Sequence, residues 1–117
     1  MTEIITRFAP SPTGNLHLGS ARTALINFII SQQNLSSKFY LRIEDTDKTR
    51  SKEEYTKNII KSLLWLGLSW NSEPQIQSQR IEKHREIANL LLNNNHAYKC
   101  KCNQQKLDEK RQFIKKH

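Results

Sequence analysis

Apolar and polar positions along the 117-residue chain change period several times. Ile4, Ile5 and Phe8 fall in a short run with little alternation, which predicts a strand over residues 3–8 covered on both faces. Leu18, Ala21, Leu25, Phe28 and Ile29 follow at spacings of three and four, predicting an amphipathic helix over 18–33. Asn34, Ser36 and Ser37 mark a turn. KFYLRIE then alternates, with Phe39, Leu41 and Ile43 facing one way and Tyr40, Arg42 and Glu44 the other, which is a second strand. Strand, helix and strand in so short a span is a βαβ unit, which requires parallel strands and a right-handed crossover. Parallel strands bring their carboxyl ends to one edge, so Arg7–Ala9 and Glu44–Asp47 are expected side by side. Open α/β sheets bind ligands at that edge.

Further along, Ser51 and Glu54 read as a capping box opening a helix striped by Tyr55, Ile59, Leu63 and Leu66 and closed by Gly67. Residues 68–79 read as a loop with a short extended piece. A helix from Ser78 to Asn93 is expected to turn Ile81, Ile87, Ala88 and Leu91 inward and Lys83, Arg85 and Glu86 outward. Asn93, Asn94 and Asn95 end it, His96–Cys102 reads as extended, and a polar helix begins at about 103.

Composition narrows the class. Hydrophobic residues make up 36% of the chain, so it is not of disordered type. The net charge of +8 is unevenly placed: residues 1–79 carry 9 basic against 7 acidic groups, and residues 80–117 carry 10 against 4. A basic half suits contact with a polyanion, although on charge alone a solvated basic surface is the simpler explanation. No apolar run reaches the ~20 residues a membrane span needs, and no secretory leader is evident. Cys100 and Cys102 are the only cysteines and stand too close for an unstrained disulfide. A cytoplasmic location without membrane contact is the expectation.

The segment TRFAPSPTGNLHLGS, Thr6–Ser20, carries the chemistry. A strand leads into a loop stiffened by Pro10 and Pro12, and a helix begins beside His17. Helix N-termini present unpaired N–H groups and a partial positive charge, so an anion binds there readily. Gly19 lets the backbone come close to a ligand, and His17 can donate to a phosphate oxygen. A lone H-x-G would be an ordinary turn; the whole of PSPTGNLHLGS between a strand and a helix is a much stronger signal.

RFAPSPTGNLHLGSARTAL and LRIEDTDKTR resemble the first signature and the following segment of the glutamyl-tRNA synthetase family of class I aminoacyl-tRNA synthetases. WLGLSW and AYKCKC match the family's order and spacing as well, so the likeness runs along nearly the whole chain. It implies an α/β fold: the first half of a Rossmann-like parallel-sheet nucleotide-binding domain over residues 1–97, and the start of an acceptor-binding insertion over 98–117. It implies activation of glutamate by ATP, with Mg2+ on the phosphates, and transfer to the 3′ end of tRNA(Glu). Arg7, Ala9, Ser11 and Glu44 would hold glutamate, with Arg7 on its side-chain carboxylate and Glu44 on its α-ammonium group. Thr13, Gly14, His17 and Gly19 would hold ATP, with His17, Gly19 and Ser20 as the catalytic signature. Ser20 stands where the general class signature has a second histidine, a change common in the glutamyl branch. Thr46, Asp47, Lys48 and Arg50 would approach the tRNA acceptor end. Relatives of this kind are expected to be monomeric.

Cys100 and Cys102 form C-x-C, a site of Zn2+ in some relatives that carry a second pair further along. Zinc needs four ligands, and His96 and His117 stand at irregular spacing, so an incomplete, metal-free pair is expected. The family's second signature, a lysine-bearing loop, is not among these residues, so the chain by itself is expected not to aminoacylate. Two other readings remain. The enzyme that glutamylates the queuosine base of tRNA(Asp) shares both motifs, and a non-catalytic basic module for RNA or a protein partner would share the charge.

Overall fold

The computed structural model describes residues 3–116 and divides into two compact units, one ending at Ile81 and one beginning at Glu82. The first is mixed α/β. Its strands β1 (Ile5–Phe8), β2 (Lys38–Ile43) and β3 (Gln75–Ile76) form a parallel sheet in the order β1-β2-β3. Helix α1 (Leu18–Ser31) joins the first two strands and α2 (Glu53–Trp65) lies between the second and third. Thr6 pairs with Phe39 and Phe8 with Leu41 in the β1–β2 register. Arg42 and Ile43 pair with Gln75 and Ile76. The tiny third strand is the extended piece expected in 68–79. Asn71 extends β2's pairing on the same side, since its N–H donates to Phe39 C=O and its Oδ1 accepts from Phe39 N–H.

The core follows the alternation of β2: Phe39, Leu41 and Ile43 are buried with Phe8, Ala24, Ile59, Leu63 and Leu68. Phe28 meets Phe39 edge-on, ring centres 5.8 Å apart. Tyr40 and Arg42 lie on the opposite face, as expected. β1 departs from the expectation of a strand covered on both faces, because Ile5 and Arg7 on its outer face are exposed.

Helix α1 is rotated from the expected stripe. Of that stripe Phe28 packs against the core, but it does so beside the wholly buried Ala24 and Ser31, while Leu18 is 87% exposed and Leu25 44%. The helix approaches β1 and β2 closely, and small side chains permit that approach where larger ones would hold it off. The Thr6 hydroxyl donates to Asn27 C=O at 2.9 Å, which pins the helix to β1.

The capping box does not form. Helix α2 has Lys52 at its N-cap without a side-chain bond, and the Ser51 hydroxyl is buried with no partner among the described residues. Ser51 N–H instead donates to Asp47 C=O within the preceding turn and Lys52 N–H to Pro12 C=O, so a turn bond and one tertiary tether replace the local cap. Ile59 and Leu63 of the predicted stripe are buried, whereas Leu66 is exposed. At its end Gly67 adopts φ +77°, with Gly67 N–H on Leu64 C=O and Leu68 N–H on Leu63 C=O. This is a Schellman cap, and its accompanying apolar contact joins Leu63 and Leu68, both buried.

The second unit holds α3 (Ile81–Asn93, beginning one residue earlier) and α4 (Gln104–Lys116), separated by an irregular segment. The residues expected to open α3 form a 3-10 turn, Gln77–Arg80. Ile81, Ile87, Ala88 and Leu91, expected inward, are exposed, because so short a unit has little apolar surface to lay over them. Asn95, at φ 59°, closes α3 through His96 N–H on Leu91 C=O. Asn103 caps α4, its Oδ1 accepting from Lys106 N–H at 2.9 Å. Among the described residues no helix is long and apolar enough to cross a membrane.

Candidate functional site

The loop between β1 and α1 is held at three points. Both prolines lack an N–H, so each contributes a carbonyl: Pro10 C=O accepts from Glu44 N–H at 2.9 Å and Pro12 C=O from Lys52 N–H at 3.1 Å. Pro12 is itself fully buried. The Asn58 side chain adds a bond from α2 to Asn15 at 3.2 Å. Thr13 N–H donates to Ser11 C=O, closing a tight turn around Pro12. The loop is therefore fixed against the carboxyl end of β2 and the start of α2.

Under it lies a cavity of about 540 Å³, lined by Ala9, Ser11, Thr13, Gly14, His17, Gly19 and Ser20, with Phe8, Pro10, Asn15, Leu16, Thr23 and Ile59 completing the wall. Seven of the residues singled out in the sequence thus share one cavity at the N-terminus of α1. His17 is the N-cap of that helix. Its Nδ1 accepts from Ser20 N–H at 3.3 Å, which leaves the ring proton on Nε2, and Nε2 lies 3.0 Å from Ser20 Oγ. An anion arriving at the helix start can accept a hydrogen bond from Nε2–H in place of the hydroxyl. Gly14 has open space around it, so sterics do not demand glycine there. Gly19 is different: a Cβ there would stand 3.2 Å from the His17 ring. No carboxylate lines the cavity. Mg2+ would meet only hydroxyl, amide and imidazole side chains there, which suits an ion held mainly by the phosphates of a nucleotide.

Arg7 and Glu44 do not line this cavity; they lie beside it on the outer face of the sheet. The parallel pairing and the Glu44–Pro10 bond bring the ends of β1 and β2 together as expected. The Arg7 guanidinium is exposed and has no ion-pair partner among the described residues, whereas Glu44 pairs with Arg42 at 3.4 Å. Arg42 was not singled out by sequence reasoning; the alternation of β2 placed it on this face, and only its contact with Glu44 marks it.

The segment after β2 divides. Asp45 accepts from both the N–H and the hydroxyl of Ser78, locking the strand end to the 3-10 turn. Lys48 lines a second cavity of about 480 Å³ with Pro12, Ser51, Lys52 and Thr56. Asp47 serves its own turn: Oδ1 accepts from Thr49 N–H, Thr49 Oγ1 and Arg50 N–H, and Oδ2 accepts from Arg50 Nε at 2.6 Å. These bonds, the Thr49 hydroxyl first and then the Arg50 side chain, hold the Asp47 carboxyl far below the usual range. Thr46 and Arg50 are exposed. Cys100 and Cys102 are free and exposed, and Cys102 N–H donates to Cys100 Sγ at 3.4 Å. No group of three or more potential metal ligands forms among the described residues, and His117 lies outside them.

Residues 3–117 match the family of class I tRNA synthetases (E and Q), catalytic domain. The glutamate–tRNA ligase of Pelagibacter ubique is 51% identical over 111 residues, which are 95% of this chain and 24% of that protein. Glutamate–tRNA ligase 2 of Thermoanaerobacter pseudethanolicus is 49% identical over 99% of this chain and 24% of its own length. The crystal structure of glutamate–tRNA synthetase from Elizabethkingia anophelis superposes with a TM-score of 0.85 at 33% identity, covering 97% of this chain and 24% of that one. The chain spans about a quarter of the length of these relatives. With its three-stranded parallel sheet and the loop-bounded cavity at its carboxyl edge, the chain belongs to the class I tRNA synthetases of the glutamate and glutamine type, as part of their Rossmann-like catalytic domain.

Proposed function

We propose that this chain supplies part of the active site of an ATP-dependent glutamate–tRNA ligase. The observation that carries the reading is the pairing of a cavity at the α1 N-terminus with an Arg7 guanidinium that has no ion-pair partner among the described residues and a Glu44 carboxylate held by Arg42 at the adjoining sheet edge. Arg7 takes the side-chain carboxylate of glutamate through its planar fork, and Glu44 accepts from the α-ammonium group. Ala9 and Ser11 flank the amino acid. The ATP phosphates lie at the start of α1, against Thr13, Gly14, Gly19 and the His17 Nε2 proton. A glutamate α-carboxylate oxygen attacks the α-phosphorus, and the new O–P bond forms as pyrophosphate leaves; a hydroxyl of the 3′-terminal ribose of tRNA(Glu) then attacks the acyl carbon, forming the ester as AMP leaves. The chain's share of the work is positioning and charge stabilisation. Lys48 and Arg50, near the carboxyl edge, face the acceptor end of the tRNA, with Thr46 and Asp47 shaping that turn. The proposed division of roles gives residues 1–97 to nucleotide binding and 98–117 to the start of an acceptor-binding insertion. A monomeric, cytoplasmic enzyme fits this chemistry.

The test is a graft in which this chain replaces the corresponding N-terminal quarter of the Pelagibacter ubique ligase. Glutamate-dependent ATP–pyrophosphate exchange is expected in the graft and absent from the chain alone. Arg7→Ala should abolish the glutamate response and leave ATP binding in place. No exchange by the graft, or an unchanged response in Arg7→Ala, overturns the reading. Binding of tRNA with steep salt dependence and indifference to glutamate and ATP would identify a non-catalytic basic module instead.

A further inference from the structure

We propose that Arg42 is a positioning residue for Glu44: it holds the carboxylate in the orientation that receives the amino group of the amino acid, and keeps it from closing on Arg7. The inference rests on the function proposed above for the Arg7–Glu44 edge.

Residues two apart on a strand project from the same face, and the ladder continues past β2 through the bond from Glu44 N–H to Pro10 C=O. Arg42 and Glu44 therefore both point to the outer face of the sheet, where Arg7 of β1 also lies. Arg42 Nη2 stands 3.4 Å from Glu44 Oε1, with the two side chains 28% and 35% exposed. This pair is more sheltered than the other ion pairs among the described residues, so solvent screens it least. Arg42 Nε is buried and has no hydrogen-bond partner among the described residues. Buried donors are nearly always satisfied, so this guanidinium holds its place at some cost to stability. Geometry that costs stability fits a role in binding better than a role in folding.

The arrangement also separates charges. Arg7 and Arg42 share the outer face with the Glu44 carboxylate. Arg42 is paired with Glu44, and Arg7 is without a partner among the described residues. A substrate carrying both a side-chain carboxylate and an α-ammonium group needs a free cation and a free anion face at once. Glu44 released from Arg42 would have Arg7 as the other guanidinium of this face, and a Glu44–Arg7 pair would cancel both contacts together.

The experiment uses the grafted ligase with Arg42→Met, Arg42→Lys, Glu44→Gln and the double variant Arg42→Met with Glu44→Gln. Arg42→Met is expected to raise KM for glutamate about tenfold, within the range of coupling seen for contacting pairs. KM for ATP and kcat should stay close to those of the unmodified graft, and the melting temperature should hold or rise. Arg42→Lys, which keeps the charge and loses the fork, should fall between. On the Glu44→Gln background Arg42→Met should change KM for glutamate by less than about twofold, because it acts through the lost carboxylate. An unchanged KM in Arg42→Met overturns the proposal. So does an undiminished effect on the Glu44→Gln background, or a loss of kcat and melting temperature together, which would mark a structural residue. An unmodified graft without glutamate-dependent exchange is a separate result, and it removes the functional reading and this inference together.

Discussion

A Cβ on Gly19 would stand 3.2 Å from both Cε1 and Nδ1 of His17, so the glycine is the seat on which the imidazole rests. The ring lies across the first turn of α1 with Nδ1 on Ser20 N–H and Nε2 at Ser20 Oγ. Adding a methyl group would strengthen the helix by about 1 kcal/mol, since alanine is the better helix former. It would also push the ring outward by a few tenths of an ångström and lengthen the 3.3 Å cap. Gly19→Ala is therefore expected to keep or raise the melting temperature of the chain while moving the His17 ring resonances, and to weaken ATP use by the grafted enzyme at least fivefold or so, as small misplacements in active sites do. Calorimetric melting and exchange kinetics on the same variant check it. Wild-type ATP kinetics in Gly19→Ala would show that the glycine matters only for helix packing.

Helix α1 bears two kinds of apolar position, and they should respond oppositely to change. Ala24 is wholly buried against the sheet and has no room to grow. Ala24→Leu is expected to cost about 1–3 kcal/mol by overpacking. Leu25, one residue on, is 44% exposed, and Leu25→Gln should cost under about 1 kcal/mol. Denaturant melts of the two variants give the comparison, and equal losses would refute the observed rotation of the helix.

That rotation marks the limit of what could be read from the chain. The alternation of Phe39, Leu41 and Ile43 was legible because a strand's period of two leaves each side chain only two places to go. In α1, which holds six large aliphatic or aromatic side chains among fourteen residues, several apolar stripes could be drawn, and the one that packs sets the small Ala24 and Ser31 beside Phe28. Close approach to a sheet is a property of two surfaces, and periodicity in one of them does not report it. Ser51 illustrates the same point: its sequence context offers a cap, but the carbonyl of Pro12, distant in sequence, takes the neighbouring N–H first. The loop residues of the site were legible as a group because strand, prolines and helix start occur in unbroken order. Arg42 was not, because an arginine on a strand's solvent face looks the same whether or not it holds a carboxylate.

Asp47 organises the turn after β2 through four bonds to Thr49 and Arg50. Those bonds lower its carboxyl in the folded chain far below the ordinary 3.8. A group depressed on folding adds stability above its unfolded value and loses it as pH falls through the folded one. The contribution should thus be complete at neutral pH, persist through pH 4, and fade only in strong acid. Asp47→Asn is expected to lower the melting temperature modestly at pH 7, with the difference from the unmodified chain kept at pH 4 and shrinking below about pH 3. A gap that closes between pH 6 and 4 would mean that the carboxylate is not held by these bonds. The exposed position of Arg50 keeps the effect small and salt-sensitive.

Cys100 and Cys102 should differ in reactivity although both are exposed. The backbone N–H of Cys102 donates to Cys100 Sγ and, with the Cys102 thiol and the charge of Lys110, holds the Cys100 thiol below its ordinary value. A lowered thiol carries more thiolate at neutral pH, and the thiolate is the attacking species. Iodoacetamide at pH 7 should therefore label Cys100 before Cys102, as read by peptide mass spectrometry over a time course. Two variants separate the causes. Cys102→Ser keeps the backbone donor and should leave Cys100 fast, while Cys102→Pro removes that N–H and should slow it. Lys110→Gln should have a smaller effect than Cys102→Pro, because its charge acts from a distance through solvent. Equal rates for the two cysteines in the unmodified chain, or a Cys102→Pro variant as fast as Cys102→Ser, would show that the N–H···S contact does not form in solution.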